Sequence, residues 1–477
     1  MRRADMRLAL ALLAGAGCSG AIPELQPPPL PEQTPGQWLA GATTGPVDPA
    51  EAWWQRLGGN PLAELVAECL AHNHDLSAAV ARLDAAGVQA RLAGAALAPT
   101  LSAELDALRQ RQVFVGLPIG GQGLATTFSS YGVSLTASWE LDVWGRVRAG
   151  QSAALGELAA TAADLRGTQL SLAAQTARVW FALTEAQLQH DLAVSTVASF
   201  TETVARVQAR FAQGTRPALD LRLALANLAQ AEALREQRQE LKERTLRQLE
   251  LLLGRYPAGK ATPGADLPEA AYPVPAGLPA ELLRRRPDLV AAERRLAASD
   301  RRVAEATAAL YPRIALTTTA GAASAELEDL VDSDFFVWNL VGNLSAPIFA
   351  GGRLRGEVAL QEARLREAAA VYAQSVLRAF AEVETALAAE QALGRRVQQL
   401  AAAAEASGAA QRLAEERYEA GLTELVTVLE AQRRALEARV ALLSVRRQKL
   451  DARIDLHLAL GGGLPLPASN PVSGPTR

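Results

Sequence analysis

The chain has little of what most catalytic sites are built from. Two Cys, four His and two Met occur among 477 residues, and both Met (Met1, Met6) fall in the first six positions. That leaves scant material for a metal cluster or a nucleophile–base pair. Aromatics are few, with seven Trp, six Tyr and nine Phe. Lys occurs three times (Lys242, Lys260, Lys449), so nearly all 48 basic residues are Arg, and the formal net charge is −3. This balance excludes a strongly basic nucleic-acid binder, and 49% hydrophobic residues exclude a disordered chain. Two Cys exclude a disulfide scaffold. Past the first twenty residues no run of 18 apolar, uncharged residues occurs, so helical membrane spans are not expected and any crossing must use strands. What the chain has in abundance is Ala, about one residue in five, together with Leu, Arg, Glu and Gln. These side chains lose little freedom in a helix and point to long helices.

Arg2, Arg3 and Arg7 precede an apolar run from Leu8 to Ala16, with Cys18 after a small Gly. This is the anatomy of a bacterial export signal over residues 1–17, and the Cys that follows has the placement of a lipidated first residue. Gly15 stands where such signals usually have Leu. Removing residues 1–17 takes away three Arg and one Asp and moves the net charge from −3 to −5. Cys69 then has no intramolecular partner for a disulfide.

Residues 255–279 hold six prolines (Pro257, Pro263, Pro268, Pro273, Pro275, Pro279) and read as a linker. The sequence repeats itself on either side. Asp75-Leu76 corresponds to Asp288-Leu289, and Ala96-Leu97-Ala98-Pro99 to Ala309-Leu310-Tyr311-Pro312, at an offset of 213. Gly145-Arg146 matches Gly352-Arg353, Arg210–Gly214 matches Arg417–Gly421, and Leu253-Gly254 matches Leu460-Gly461, at an offset of 207. The change of offset places an insertion or deletion between the Pro and the Gly-Arg. The expected organisation is a lipid-anchored extension over 18–58, a first repeat over 59–254, the linker, a second repeat over 280–461 and a tail over 462–477.

Each repeat changes its hydrophobic period in the same order. Tyr131, Val133, Leu135, Ala137, Trp139 and Leu141 alternate with Gly132, Ser134, Thr136, Ser138 and Glu140, the period of a strand with one apolar face. Leu101, Ala103, Leu105 and Ala107 alternate in the same way. So, more weakly, do Ile314, Leu316, Thr318 and Ala320, and then Phe336, Trp338, Leu340, Gly342, Leu344 and Ala346. Each half thus holds one strand pair, joined by a loop rich in Gly (116, 120, 121, 123) or in acid (Glu326, Glu328, Asp329, Asp332, Asp334). Residues ~146–211 and ~353–418 run without proline, which is roughly 100 Å of helix if continuous. Shorter helices over ~60–97 and ~280–310 precede the strands. Leu425, Leu429, Leu436, Val440, Leu443, Leu450 and Ile454 step at coiled-coil spacing, as do Val376, Phe380, Val383 and Leu387. The fold class is therefore mainly α with a small transmembrane β part, a duplicated half built on long antiparallel coiled-coil helices.

Four strands of about ten residues have the length to cross a bilayer when tilted. Alone they would leave unpaired edges in lipid, and the smallest spanning barrels have eight strands. A barrel must then be shared, with eight strands from a dimer or twelve from a trimer. Trp139, Trp144, Trp338, Phe335, Phe336 and Tyr311 lie near strand ends, where an aromatic girdle would sit. The competing reading is a small soluble sheet on a helical bundle.

The order of elements resembles the TolC-like outer-membrane efflux factors, in their lipid-anchored branch. Trp53-Trp54-Gln55-Arg56-Leu57-Gly58-Gly59-Asn60-Pro61-Leu62 looks like that branch's Trp-Trp…Asp-Pro-x-Leu motif, with Asn60 where Asp is usual. Arg417–Gly421 with Leu429–Arg433 is similar to the family's segment at the periplasmic turn, and Ala459-Leu460-Gly461-Gly462-Gly463 to its closing motif. The resemblance implies a homotrimer: a shared twelve-stranded barrel in outer-membrane lipid, continued by a helical tunnel. A periplasmic adaptor protein and an inner-membrane RND-type pump would dock on its tip. It implies a passive exit duct for small toxic molecules, with no enzyme activity and no cofactor. By position it places the tunnel's gate at Tyr418, Glu430 and Arg433, with Glu430 where Asp is usual. Glu430 and Arg433 stand three apart on one helix face and can pair. Gly214 and Gly421 permit the left-handed backbone that ends a helix, so they mark two hairpin turns and candidate adaptor contacts. Cys18 is the implied lipidation site. A protein-secretion duct shares this architecture, and a non-pore periplasmic coiled-coil adaptor is the alternative from another class; the amphipathic strands argue against the latter.

Two further motifs carry less. Gly254–Ala261 nearly spells a P-loop, but the hydroxyl residue after Lys260 is missing and helical sequence precedes it. His72-Asn73-His74 suggests a metal or nuclease site, yet residues two apart do not share a helix face. No nucleic-acid partner is expected.

Overall fold

The computed structural model describes residues 38–40, 52–114, 124–269, 274 and 279–462. The signal segment, Cys18, the Gly-rich strand loop and most of the C-terminal tail lie outside the described residues. The elements run α1 (Trp53–His72), α2 (His74–Ala95), β1 (Thr100–Phe114), β2 (Leu124–Leu141), α3 (Arg146–Ala212) and α4 (Ala218–Leu252). The order then recurs as α5 (Pro279–Arg285), α6 (Pro287–Ala308), β3 (Arg313–Ser324), β4 (Phe336–Ser345), α7 (Arg353–Glu419) and α8 (Leu425–Ala459), with two short 3₁₀ turns between β3 and β4. Both α3 and α7 have 67 residues, and both α4 and α8 have 35. The duplication is therefore element for element. Among the described residues no helix is long and apolar enough to cross a membrane.

The helices expected over ~60–97 and ~280–310 are each broken once, at equivalent positions. Asn73 leaves the helical conformation (ψ 127) and its Oδ1 accepts from the Asp75 and Leu76 amides, capping α2. This cap absorbs the His72-Asn73-His74 motif. Its counterpart Arg286 separates α5 from α6, with Pro287 at the first helical position, where a missing N–H costs nothing. A second break lies within α1 at Gly59, whose φ of 63° an L side chain would resist, just before Pro61.

The described residues form two compact units. One gathers Ala86–Leu158 with Glu293–Ala370 and holds a four-stranded antiparallel sheet in the order β1-β2-β3-β4. Its register explains the alternation in the sequence. Leu105 faces Val133, Val133 faces Ala322, and Ala322 faces Phe336; likewise Ala103, Leu135, Ala320 and Trp338 form one row. Successive rows make one continuous apolar face, while Glu104, Ser134 and Gly321 belong to the other face. β1 and β4 are exposed along their described lengths, and each leaves one edge unpaired within the chain. β1 and β2, at 15 and 18 residues, outrun the expected ten. Thr100 pairs with Ser138, and the residues 213 and 207 further on, Arg313 and Ser345, also pair. The length difference between the repeats is thus confined to the tip of the strand hairpin. Around the sheet's base, helices approach closely on small residues: a Cβ on Gly156 of α3 would come within 3.0 Å of Ala298 Cβ on α6.

The other unit gathers the described residues within 38–85, 159–292 and 371–462. Its largest core packs Trp53, Trp54, Leu57 and Leu62 of α1 against Ala173, Ala177, Trp180 and Phe181 of α3, Leu249 of α4 and Ile454 of α8. Ala at 0–5% exposure lets these backbones approach one another, which is the use of the alanine excess. On α8 the expected seam residues Leu436, Val440 and Leu443 are only half-buried, whereas Ala435 and Val445 are buried. The seam turns there to serve a polar contact with α3, in which Ser444 and Arg447 both donate to Glu185 (2.7 and 2.5 Å). In the segment after α4, the near-P-loop spends its backbone amides on the chain's own carboxylate. Gly259, Lys260 and Ala261 donate to Glu250 at 2.7, 2.6 and 3.2 Å. The anion nest is filled by an α4 side chain.

Candidate functional site at the hairpin turns

Two helical hairpins end in the same backbone device. At the first turn Gly214 (φ 71°) donates to Phe211 O and Thr215 to Arg210 O; at the second Gly421 (φ 76°) donates to Tyr418 O and Leu422 to Arg417 O. These six-to-one and five-to-two bonds satisfy the last carbonyls of α3 and α7, and the left-handed residue between them must be Gly. A Cβ at Gly214 or Gly421 would touch nothing within 4 Å, so backbone conformation, not crowding, requires glycine at both turns.

The first hairpin grips the end of the second. Arg210 donates to the Tyr418 and Glu419 carbonyls (3.2 and 3.1 Å). Arg206 pairs with the Glu419 carboxylate and, at 3.0 Å, with Glu202. Cations at a helix C-terminus meet the negative end of its dipole. The Arg210 and Arg216 guanidiniums lie 5.0 and 5.1 Å from the centre of the Tyr418 ring. Each such contact is worth about 0.5–2 kcal/mol, depending on how much water is excluded. Tyr418 is 3% exposed within an apolar cluster of Phe200, Val204, Val207, Leu425, Val428 and Leu429, and its Oη has no hydrogen-bond partner.

Glu430 and Arg433 are brought together on α8. Arg433 donates to Glu430 through Nε and Nη2 (2.8–3.1 Å), Arg434 Nε donates to Glu430 at 2.7 Å, and Arg433 Nη1 donates to Glu437 at 2.7 Å. All four side chains are exposed to water. Hydrogen bonds from Arg433 and then Arg434 hold the Glu430 carboxyl below its ordinary range, and Glu430 in turn raises Arg433. Glu430 therefore stays ionised through the neutral range, and the cluster presents two guanidiniums flanked by two carboxylates along one face.

The sequence expectation groups the Tyr418 phenol with these two charges, and the structure separates them. In the conformation described here Tyr418 is an interior side chain covered by Arg210 and Arg216, so it does not share the exposed face of Glu430 and Arg433. The physical reason is the pair of guanidiniums from the first hairpin, which offer the ring a better surface than water. Arg206 and Arg216 carry no sequence signal for this role; Arg210 stands out only as the repeat counterpart of Arg417. Gln432 is the other residue the sequence reading passes over. It is 4% exposed and its Nε2 donates to Glu415 at 2.9 Å, a polar contact within the seam. Among the described residues no group of three or more potential ligands could hold a metal ion, and Cys69 is fully buried, which raises its thiol pKa.

Comparison with known proteins places this geometry in context. The family model described as outer membrane efflux protein matches residues 65–255 and 278–462. The toluene efflux pump outer membrane protein TtgF of Pseudomonas putida is 35% identical over 480 residues, covering 98% of each chain. The outer membrane protein OprJ of Pseudomonas aeruginosa is 34% identical over 459 residues, covering 96% of this chain and 95% of its own. Among solved structures, the open-state MtrE outer membrane channel of Neisseria gonorrhoeae superimposes with a TM-score of 0.83 at 29% identity, covering 93% of this chain and 98% of that one.

Proposed function

The chain belongs to the outer membrane efflux protein family, and from that premise we propose that three copies form the exit duct of a tripartite efflux pump. The duct passes small toxic molecules through the outer membrane without chemistry of its own. The observation that carries this reading is the sheet: four strands, one continuous apolar face and two open edges. An open edge in lipid costs several kcal/mol for each unsatisfied backbone group, so the sheet has to close. Three copies give twelve strands, wide enough for a solute path, whereas eight would be filled by side chains. The aromatics support the same placement. Trp139 lies opposite Leu316, and Phe336 opposite Ala322 six residues along β3. At ~3.4 Å per residue the two aromatic levels stand about 20 Å apart along the strands, or roughly 15 Å along the membrane normal at a tilt of about 40°, within a barrel's apolar band of ~25 Å.

The helical hairpins then lie on the periplasmic side, where their turns at Gly214 and Gly421 meet a periplasmic adaptor and an RND-type inner-membrane pump. Energy for export comes from that pump. Threefold copies of the Glu430–Arg433 cluster form a charged constriction that gates the duct and favours cations through its carboxylates. Tyr418, clamped by Arg210 and Arg216, serves this gate as a fixed internal post. Cys18 carries the lipid that anchors the extension before Trp38. Purification from outer-membrane fractions tests the reading: a trimer by native mass, conducting in planar bilayers, is expected. A water-soluble monomer that leaves bilayers unaltered would overturn it.

A further inference from the structure

The duplication determines how one copy meets the next. Within the chain, β2 of the first repeat pairs with β3 of the second, so that contact is already a junction between successive repeats. In a closed barrel the missing junction is its copy: β4, the counterpart of β2, against β1 of a neighbour, the counterpart of β3. The correspondence is set by the structure, because β1 maps to β3 by 213 residues, β2 maps to β4 by 207, and both strand hairpins obey those offsets. The backbone corners that follow β2 and β4 correspond as well. Gly145 and Gly352 both have positive φ, and both accept from the residue four further on at 2.8 Å.

We propose that β4 of one copy pairs with β1 of the next in the register transferred from β2 and β3, placing Ser345 opposite Glu104 and Leu344 opposite Leu105. The transfer starts from Ser138 opposite Thr317 and Leu141 opposite Ile314. The second of these puts Ile348 opposite the neighbour's Leu101. This inference rests on the trimer reading above.

Three observations agree with the register without having been used to derive it. First, the transfer sets even positions of β4 against odd positions of β1. That joins the apolar face Phe336, Trp338, Leu340, Leu344 to the apolar face Leu101, Ala103, Leu105, Ala107. A slip of one residue would set apolar side chains against the polar face. Second, Ile348 is 93% exposed and Leu101 72% exposed in the single chain, and the register gives each an apolar partner. Third, it puts Arg111 beside Trp338, at the aromatic level where lipid headgroups would accept a guanidinium.

Cysteine pairs test the register. Glu104 and Ser345 belong to the polar face, open to water and to an oxidant, and Cα atoms directly opposite in an antiparallel pair stand about 4.5–5.5 Å apart, within disulfide reach. Cys69 is fully buried and stays in place. The full-length chain carrying Glu104→Cys with Ser345→Cys is oxidised in membranes and run on a denaturing gel. The pairs Ser102→Cys with Ser345→Cys and Asp106→Cys with Ser345→Cys serve as two-residue slips in either direction. Covalent dimers and trimers at least fivefold more abundant for the Glu104 pair are expected. A preference for either slipped pair, or no cross-link in a preparation that is trimeric by native mass, overturns the register and leaves the trimer standing. A monomeric preparation overturns both.

Discussion

The two repeats share a backbone and differ in where their side chains find partners. At the corner after β2, Asp142 accepts from the Val147 and Arg148 amides (both 2.9 Å), capping α3. Trp144 stacks on Tyr311 at 5.1 Å and donates to Pro312 O at 2.7 Å. At the matching corner after β4 the same positions hold Phe349 and Gly351, with Phe349 90% exposed. The first corner is closed by groups of its own chain. The second is built of apolar groups that meet water in a single copy. In the proposed trimeric ring a duplicated gene is under this pressure: one junction becomes internal and can acquire polar specificity, while the other must remain a surface that a second copy can cover.

The junction between short and long helices shows the same divergence, and it offers the largest expected effect. Asn73 Nδ2 donates to the Leu252 carbonyl at 2.9 Å, and its counterpart Arg286 donates to the matching Ala459 carbonyl at 3.2 Å. Arg286 also pairs with Asp288 (2.8 Å) and Glu382 (2.6 Å) while only 7% exposed. Asp288 and Glu382 are about half exposed and take up water once the guanidinium is gone, so the cost of Arg286→Ala lies mainly in the lost packing and the unpaired Ala459 carbonyl, about 2–3 kcal/mol. Asn73→Ala loses a cap and one hydrogen bond, about 1–2 kcal/mol. Amide hydrogen exchange along the last turns of α4 and α8 reads both. Equal losses would mean that the two side chains are interchangeable posts and that the ion pairs contribute nothing.

Acid should separate the repeats next. Glu250 and His457 are counterparts, the first buried and the second half-buried. Burial and the nearby charges of Arg453 and Arg56 push His457 down to about 3, where it stacks neutral on Trp53 at 5.3 Å. Burial raises Glu250, but three backbone amides and Arg255 outweigh it, and its pKa is lowered overall. Both folded pKa values are therefore depressed. The unfolded chain takes up protons first, and stability falls as pH drops. For His457 the loss begins near its ordinary value of 6.5 and continues toward 3; for Glu250 it begins only below about 4.5. Thermal midpoints measured between pH 6.5 and 5 should fall for the native chain and fall less for His457→Phe. Glu250→Gln should leave the slope in that window unaltered. An unaltered slope in His457→Phe would remove His457 from the account.

How far the sequence foretold this depended on whether a signal was periodic. Alternation identified all four strands and the right apolar face, because a one-residue error would have inverted every row. It stopped at Ala107, since Arg109, Gln110, Arg111 and Gln112 continue β1 by backbone pairing alone and leave no apolar trace. Helix lengths were legible from the absence of proline, and Pro287 marks the break after Arg286, which the expected helix over ~280–310 ran through; the break at Asn73 was not legible, as a side-chain cap makes it. The α8 seam failed where α3 supplied Glu185, a partner that no spacing on α8 reveals. At the candidate gate, Glu430 and Arg433 were legible as a local pair. The burial of Tyr418 was not, because Arg210 and Arg216 reach it from a segment about 200 residues away.

The smallest effect on stability should come from the proposed gate. Glu430 and Arg433 have Leu223 and Ala226 as counterparts, so only the second hairpin carries the charged cluster. The cluster lies in water, where such pairs add little to folding. Glu430→Ala with Arg433→Ala should therefore leave the thermal midpoint within about 1 °C. The same double variant should raise resting conductance in planar bilayers and reduce cation preference, because the fixed charges at the constriction are gone. Leu223 packs against the cluster around Tyr418, so Leu223→Ala with Ala226→Ser, the matched change on the first hairpin, should lower the thermal midpoint by a few degrees and leave conductance unaltered. If both double variants opened the duct equally, loosened packing would explain the result and the charges would not. If neither did, the constriction would lie elsewhere, and the Arg210–Tyr418–Arg216 clamp would become the next place to cut, since it ties the two hairpins of one copy together through a buried ring.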